Sequence, residues 1–364
     1  MNKINPRKKT MSIARLASHL GLSEGTVSRA LNDYPDIAKK TRQRVREAAS
    51  ELGYRPSSTA RRLARGVVET VGFVLPGRRN HLSDPFLSEI LDGLAAELAT
   101  NDWDLLLAAV PDGHDEIEVM DRLLRSGKIG AFAVTRVRRS DKRVEFLRGA
   151  GVPFVVHGRT EKCDDYAWLD IDNEKAFVDA VNFLLGLGHT NIAMLGGDLE
   201  MNFAWSRRQG FVKAMIAAGL EPAADKIIDN VTDGEAGLAA MARLLALPDR
   251  PTAVVCVTDN VAIGAINAIQ RAGLKAGHDV SVVGYDGLPM GKATEPALTT
   301  MSQASYDAGR QVARMLLSQA AAGKNSQTTP IPQILWEAKL TLRASANPPV
   351  HLPANPSHRE ETNQ

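Results

Sequence analysis

Side chains that could hydrogen-bond to DNA are concentrated in one short stretch near the N-terminus. Thr26, Ser28 and Arg29 face away from the apolar Val27 and Leu31 of a predicted helix, so a partner could reach them. Arginine can hold a guanine O6/N7 pair or a phosphate, and threonine can contact a phosphate or a thymine methyl group. A solvated helix surface is the alternative for each of them. The candidate DNA-binding residues of this stretch are Ser23, Glu24, Thr26, Ser28, Arg29 and Asn32.

Two short helices would have to hold these side chains in place. Apolar residues recur at i, i+3, i+4 and i+7 from Ile13 to Leu20, which predicts one helix that Gly21 ends. Ser23 can cap a second helix by accepting a backbone N–H. The pair matches a helix-turn-helix, whose second helix can enter a major groove. A third helix is predicted at 40–52.

Charge separates this head from the rest of the chain. Residues 1–66 contain fifteen Lys and Arg against five Asp and Glu, a net charge of +10. Because the whole chain carries +2, residues 67–364 carry −8. A basic head on an acidic body is expected when one end of a protein meets phosphates and the other does not.

The body alternates strand-like and helical patterns from residue 69 to about 343. Such alternation predicts βαβ units and parallel sheets with helices on both faces, and the length suggests two sheets. The composition of 344–364, rich in Pro, Asn, Glu and His, predicts a disordered tail. Strands are predicted at 71–75, 104–108, 131–134, 153–157, 167–171, 191–195, 253–257 and 280–285; helices are predicted at 86–99, 116–125, 142–149, 174–187, 206–218, 235–245, 261–272 and 306–321.

Polar residues follow the ends of several of these strands. Thr135 and Arg136 follow one, and Asp172 and Asp259 follow two others. In open α/β sheets, ligands bind beyond the carboxyl ends of the strands, so these positions and His157 are candidates for a cleft. Both aspartates could instead cap the helices that come next.

Several classes of protein lack support in the sequence. There is no run of eighteen apolar residues and no apolar segment after Met1, which predicts a cytoplasmic protein without a membrane span. Cys163 and Cys256 have no partners at metal-ligand spacing, so neither a disulfide framework nor a metal site is predicted. Phosphate-loop, Gly-x-Ser-x-Gly and His-Glu-x-x-His motifs are absent from the sequence, and we expect neither an enzyme nor a cofactor.

Motifs in the same order along almost the whole chain resemble the LacI/GalR family of transcription regulators. In the head they are residues 13–17, 21–23, 26–32 and 53–56; in the body they are Leu-Gly-His at 187–189 and the segments 207–211, 258–264 and 279–286. The resemblance implies a helix-turn-helix head at 1–54, a hinge helix and linker at 55–68, and a two-lobed body at 69–343. That body would be an α/β, type I periplasmic-binding-protein-like domain.

The resemblance also implies how DNA would be held. Leu63 of each of two hinges would wedge between base steps in the minor groove; a linker packed on the body is the alternative. Gly25 and Glu24 stand where relatives read bases, so the operator sequence cannot be copied from a relative. Glu24 could accept from cytosine N4 or face the helix dipole. Ala38 stands where many relatives have a Ser that caps the third helix. Here Asp36 or water would have to supply that cap. The further DNA-binding candidates are Arg55, Ala60, Arg61 and Leu63.

At the other end, the resemblance places ligand contacts at Arg207, Asp259, Asp172 and Thr135. Carboxylates that accept from vicinal hydroxyls and an arginine that donates to them suit a neutral polyol such as a sugar. Aromatic side chains could stack on a sugar face or pack in a core. The candidate ligand-binding residues are Phe86, Thr135, Arg136, His157, Asp172, Phe203, Trp205, Arg207 and Asp259.

The function predicted from these features is ligand-responsive regulation of transcription. We expect a homodimer, because the leucine heptads that assemble some relatives further are missing after residue 344. Its partners would be double-stranded operator DNA and a mono- or disaccharide that releases a repressor from sugar uptake or catabolism genes. The alternatives are a corepressor, a phosphorylated effector, a protein co-effector, a sugar-binding module or an enzyme.

Overall fold

The computed structural model describes residues 11–54, 68–75, 84–111, 113–322 and 330–350. It divides into two compact units, Met1–Glu69 and Thr70–Gln364. Each unit has its own hydrophobic core, and each is described by itself below.

The first unit is the predicted helical head. It contains α1 (Ile13–Leu20), α2 (Glu24–Leu31) and α3 (Lys39–Glu51). Gly21 ends α1 in a left-handed conformation with φ 66°, which favours glycine, and Ser23 caps α2 by accepting from the Thr26 N–H at 3.1 Å. Helix α3 starts without a side-chain cap. The suggestion that Asp36 supplies this cap is wrong, because its carboxylate is paired with Arg29.

The second unit contains two sheets and their flanking helices. Its strands are β1 (Thr70–Leu75), β2 (Asp104–Ala109), β3 (Ala131–Thr135), β4 (Phe154–His157), β5 (Ala167–Ile171), β6 (Ile192–Leu195), β7 (Ile227–Ile228), β8 (Ala253–Cys256), β9 (Ser281–Asp286), β10 (Thr299–Ser302), β11 (Gln333–Trp336) and β12 (Lys339–Thr341). Its helices are α4 (Pro85–Ala99), α5 (Glu116–Arg125), α6 (Lys142–Ala150), α7 (Asn173–Gly186), α8 (Asn202–Ala217), α9 (Gly234–Leu245), α10 (Asp259–Arg271) and α11 (Ser305–Ala322).

The strands form two six-stranded sheets, one in each lobe. The first lobe has the order β11-β5-β4-β3-β1-β2, and the second has β12-β10-β9-β8-β6-β7. Neighbours pair in parallel, apart from the antiparallel pair β10 and β12. The central strands are buried on both faces because helices cover the sheets, which explains their continuous apolar sequence. The two-lobed α/β fold predicted from the sequence is confirmed.

The chain crosses between the lobes three times. It passes from β5 to α7, from β10 back to α11, and from β11 to β12. Helix α11 returns to the first lobe, where Val312 and Leu316 pack in the same cluster as Phe73 and Leu94. Each lobe is therefore assembled from distant parts of the sequence.

The predicted elements are all present in the body, with ends that differ by up to four residues. Four short strands, β7, β10, β11 and β12, were not predicted. The disordered tail predicted from residue 344 is corrected for its first seven residues, which the structure describes. Ser345 is buried in the second lobe, where its carbonyl accepts from the Val282 N–H at 2.7 Å and its hydroxyl donates to the Val282 carbonyl at 2.6 Å.

Candidate functional site

A cavity lies between the two lobes of the second unit. It encloses about 560 Å³, including the part that is open to solvent. Both lobes contribute to its wall, and the wall combines aromatic rings, charged groups and neutral polar groups. The aromatic, charged and polar residues of the wall are Phe86, Arg136, His157, Arg159, Asp170, Asn173, Asn202, Phe203, Arg207, Thr258, Asp286 and Gln303.

Five of the nine predicted ligand-binding residues are brought together in this wall. They are Phe86, Arg136, His157, Phe203 and Arg207. They come from α4, the end of β3, β4 and α8, and therefore from both lobes. Of the residues selected by the strand-end argument, Arg136 and His157 line the cavity, and of those selected by the family resemblance, Arg207 does.

Three other predicted residues lie outside the wall and have local partners. Thr135 is buried, and its carbonyl accepts from Arg143 Nη2 at 3.2 Å. Asp172 caps α7 by accepting from the Lys175 N–H at 3.0 Å, so its predicted capping role is confirmed. The Trp205 ring lies 4.2 Å from the Arg139 guanidinium carbon.

Asp259 also lies outside the wall. Thr258 caps α10, so the predicted capping role of Asp259 is wrong. The Asp259 carboxylate is buried and accepts from the Leu288 N–H at 2.7 Å and from the Thr300 hydroxyl at 2.6 Å. Asp259 therefore connects α10 both to Leu288, just after β9, and to Thr300 in β10.

Arg207 is held in one orientation on α8. Its side chain is buried, and Nε donates to Asn173 Oδ1 at 2.8 Å while Nη1 donates to the Val257 carbonyl at 2.6 Å. The guanidinium lies 3.4 Å from the Tyr285 ring centroid and 4.7 Å from that of Phe203. A preorganised guanidinium of this kind can donate to a ligand at little entropic cost.

Asp286 and Gln303 are wall residues that the sequence argument did not select. Gln303 Nε2 donates to Asp286 Oδ1 at 2.7 Å. Burial raises the pKa of Asp286 to about 8, Asp259 acts in the same direction, and the Arg207 charge opposes both. Asp286 has a φ of 124°, a backbone conformation that favours glycine and that is found at binding sites. It directly follows the predicted strand at 280–285, so the rule that selected Asp259 could have found it.

Asp170 is the other acidic wall residue that was missed. Its carboxylate pairs with Arg159 Nε at 3.1 Å and accepts from the Ile171 N–H at 2.8 Å. Burial raises its pKa to about 6, against the opposing charge of Arg159. The prediction chose Asp172, two residues later, because Asp170 lies within the strand rather than after it.

His157 has an unsatisfied ring nitrogen at the cavity wall. The side chain is 8% exposed, and its Nε2 atom has no hydrogen-bond partner among the residues that the structure describes. Burial lowers the pKa of the imidazole to about 4, and the Arg207 charge contributes. The ring is therefore neutral near pH 7 and can give or take one hydrogen bond.

In the head, several of the predicted DNA-binding residues also have local roles. The hydroxyls of Ser23 and Thr26 are 2.9 Å apart, and Asn32 Nδ2 donates to the Ser28 carbonyl at 2.8 Å. Glu24 is exposed. The further candidates Arg55, Ala60, Arg61 and Leu63 lie outside the described residues.

Arg29 is exposed on α2 and already has two partners. It forms an ion pair with Asp36, and its guanidinium lies 5.4 Å from the Tyr34 ring centroid. Both side chains of the ion pair are about half exposed, so the pair is weak in water and phosphate could replace Asp36.

Two family models match separate parts of the chain. Bacterial regulatory proteins of the lacI family match residues 12–57, and the periplasmic binding protein-like domain matches residues 181–346. HTH-type transcriptional regulator AglR of Rhizobium meliloti (strain 1021) is 39% identical over 343 residues, which are 93% of this chain and 95% of the relative. The chain belongs to the LacI family.

Other relatives of this LacI-family chain agree in function class and fold. HTH-type transcriptional regulator RafR of Escherichia coli is 34% identical over 84% of this chain and 91% of the relative. A solved structure described as a complex of transcriptional regulator CelR with cellobiose has a TM-score of 0.71 and 28% identity, and it covers 92% of this chain and 100% of that one. The LacI-family chain is a DNA-binding transcription regulator rather than an enzyme.

The part of this LacI-family regulator that the structure describes has neither a cluster of metal ligands nor a membrane-spanning helix. Within it, no group of His, Cys, Asp and Glu side chains could hold a metal ion. No helix there is both long and apolar enough to cross a membrane.

The pKa of His157 predicts how the stability of the LacI-family body depends on pH. In the unfolded chain the His157 imidazole has its ordinary pKa of 6.5, so it takes up a proton as the pH falls through that value. In the folded protein its pKa is about 4, so it stays neutral until the pH is much lower. Stability present above pH 6.5 is therefore lost on acidification. Between pH 7 and pH 5 we expect the native protein to lose about 2 kcal/mol more unfolding free energy than His157→Gln.

Urea denaturation at the two pH values measures this difference. Asp170 and Asp286, whose raised pKa values act in the opposite sense, occur in both proteins and largely cancel in the comparison. Parallel pH profiles for the two proteins would contradict a neutral, buried His157.

Proposed function

We propose that this LacI-family regulator is a repressor of sugar uptake or catabolism genes, and that an uncharged mono- or disaccharide in the inter-lobe cavity releases it from DNA. The observation that carries the proposal is the unpartnered, buried Nε2 atom of His157 in a wall that also presents the aromatic rings of Phe86 and Phe203. A sugar combines hydroxyl groups with an apolar ring face, so it matches both features. The cellobiose complex of the related CelR structure supports the same class of ligand.

The charges of the wall favour a ligand without a phosphate group. Each of the three wall arginines has a partner: Arg136 pairs with Asp84, Arg159 pairs with Asp170, and Arg207 donates to neutral groups. A phosphate dianion would compete with Asp84 for Arg136 and with the buried Asp170 for Arg159. Removing a buried partner from a charge is costly, so phosphorylated sugars should bind more weakly.

The assignments of ligand contacts follow from the geometry of the wall. We infer that Arg207, Asp286, Gln303 and His157 hydrogen-bond to the hydroxyls, and that Phe86 and Phe203 face the ring. Four other predicted residues would act indirectly, by fixing the segments they contact and not by touching the ligand. They are Asp259, Asp172, Thr135 and Trp205. Arg136 would act mainly by neutralising Asp84.

We also propose that the basic head binds DNA. We infer a head at 1–54, a hinge at 55–68 and a dimerising, ligand-binding body at 69–343, which work in the cytoplasm as a homodimer on double-stranded operator DNA. Helix α2 and its caps would contact the major groove through Ser23, Glu24, Thr26, Ser28, Arg29 and Asn32. The minor groove would be contacted by Arg55, Ala60, Arg61 and Leu63. The net charge of +10 over residues 1–66 supports this assignment.

A binding screen tests the proposal directly. Thermal unfolding of the purified protein is measured with mono- and disaccharides and with their phosphate esters, and the best ligand is added to a gel-shift titration on operator DNA. We expect a neutral saccharide to raise the unfolding temperature by several degrees and to weaken operator binding at least tenfold.

Arg29→Ala supplies the control for this screen. It should lose operator affinity by about 10- to 100-fold and keep the full thermal response to the saccharide, because Arg29 belongs to the head. A phosphate ester that binds more tightly than the parent sugar would contradict the uncharged ligand. If the saccharide instead strengthens operator binding, it acts as a corepressor and does not release the protein from DNA.

A further inference from the structure

The two lobes also meet at a place away from the three crossovers. The Arg139 N–H donates to the Glu200 carbonyl at 2.8 Å, and the Asn202 N–H donates to the Val137 carbonyl at 3.1 Å. Between them, Arg138 and Met201 form an isolated antiparallel bridge. We call residues 137–139 and 200–202 together the strap. One half belongs to the first lobe and the other half to the second.

The strap is part of the cavity wall. Val137 and Asn202, which share one of its hydrogen bonds, both line the cavity. Helix α8 starts at Asn202 and has no side-chain cap, so the Val137 carbonyl of the opposite lobe accepts one of its first N–H groups. The same helix carries Phe203 and Arg207. Separating the strap would therefore move one whole side of the ligand site.

A buried ion pair, Asp141 with Arg143, fixes the backbone of the first-lobe half of the strap. Asp141 accepts from the Arg138 N–H at 3.0 Å, and Arg143 Nη2 donates to the Arg136 carbonyl at 3.1 Å. The side chains of Asp141 and Arg143 are buried and 2.8 Å apart. This half cannot follow the second lobe when the lobes separate, so an opening motion must break the strap.

A cation–π contact joins the two halves through their side chains. The Arg139 guanidinium lies 4.2 Å from the Trp205 ring centroid, and Arg139 Nε donates to Glu161 Oε1 at 2.6 Å on the first lobe. Trp205 belongs to the first turn of α8 in the second lobe. The contact is partly buried, so it should be worth more than an exposed one.

We propose that Arg139 and Trp205 are positioning residues that hold the strap shut and so set how long a ligand stays in the cavity. Neither side chain needs to touch the ligand. The proposal rests on the proposed ligand site for its functional consequence, whereas the strap itself can be tested without any ligand.

Hydrogen exchange of the full-length protein, followed by mass spectrometry, tests the strap. In the native protein the amides of Arg139 and Asn202 should exchange at least tenfold more slowly than unprotected amides. Arg139→Gln and Trp205→Leu should each speed exchange in 137–139 and 200–202 about tenfold, while exchange in the central strand β8 stays unchanged. Trp205→Phe, which keeps an aromatic face, should recover most of the protection.

Two matched variants separate the contact from general effects of charge. Arg138→Gln removes the neighbouring exposed arginine of the same strap, and Glu161→Gln removes the ion pair of Arg139 but leaves its stacking on Trp205. Both should change strap exchange less than twofold. Equal exchange in native protein, Arg139→Gln and Trp205→Leu would overturn the proposal, as would fast exchange of both amides in the native protein.

Saccharide dissociation then tests the functional consequence. For the saccharide with the largest thermal shift, Arg139→Gln and Trp205→Leu should raise the dissociation rate about tenfold and change the association rate little. Faster strap exchange with unchanged dissociation would overturn the positioning role. If no saccharide in the screen binds, the proposed function fails, while the exchange result still decides whether the strap exists.

Discussion

Replacing Arg207 by alanine is expected to weaken saccharide binding at least 100-fold. The guanidinium is fixed at the cavity wall by Asn173, Val257 and Tyr285, so it can donate charged hydrogen bonds without first being ordered. Hydrogen bonds from a charged group contribute about 1.5–3 kcal/mol each. The substitution also leaves the buried Asn173 Oδ1 atom without this donor. Isothermal titration calorimetry with the saccharide that gives the largest thermal shift measures the loss.

The neighbouring arginine provides the matched control for this substitution. Arg208 follows on the same helix, pairs with Asp229 at 3.1 Å and lies outside the cavity wall. Arg208→Ala should keep saccharide affinity within about twofold. Thermal unfolding of both variants without ligand shows whether Arg207→Ala remains folded, and Arg207→Lys retains the charge if it does not. Native-like affinity in folded Arg207→Ala would remove this residue from the site.

The second large effect is expected for Gly264→Ala in the second lobe. Helices α9 and α10 pack so closely that a Cβ atom at Gly264 would lie 2.0 Å from the Gly234 carbonyl oxygen. A backbone atom of a packed helix cannot move aside as a flexible side chain can, so the helices would have to separate. We expect the body to lose about 3 kcal/mol of unfolding free energy, measured by urea denaturation.

Gly149→Ala shows what the same substitution does without a close neighbour. Gly149 lies in α6, where an added Cβ atom would have no heavy atom within 4 Å. There the higher helix propensity of alanine should stabilise the protein by up to about 1 kcal/mol. Stabilisation by both substitutions would show that propensity, rather than packing, decides the outcome.

Local sequence patterns identified the central strands but not all of the strands at or next to the sheet edges. The strands β3 and β8 are continuous apolar runs because helices cover both faces of each sheet. Strand β10 begins with the polar residues Thr299 and Thr300, so its sequence is not a continuous apolar run. They are buried because the Thr300 hydroxyl donates to Asp259, more than forty positions earlier in the chain. No local pattern contains that partner.

The same distinction applies to the candidate site. The rule of strand ends found Arg136, which follows β3, and could have found Asp286, which is the last residue of β9. It could not find Asp170, because this residue lies inside β5 although it lines the cavity. Stacking on a sugar and packing in a core are the two predictions for Trp205, and in the structure its ring contacts Arg139 of the other lobe. Such contacts depend on the tertiary arrangement and not on spacing.

The three crossings between the lobes also determine when the protein can complete its fold during synthesis. A ribosome delivers the chain from the N-terminus, and domains fold as their sequence emerges. The sheet of the first lobe lacks its edge strand until Gln333–Trp336 has left the ribosome, although the strands that surround its core were made some 200 residues earlier. Neither lobe can close its core early. We therefore expect the two halves of the body to become protease-resistant together, only near the end of translation.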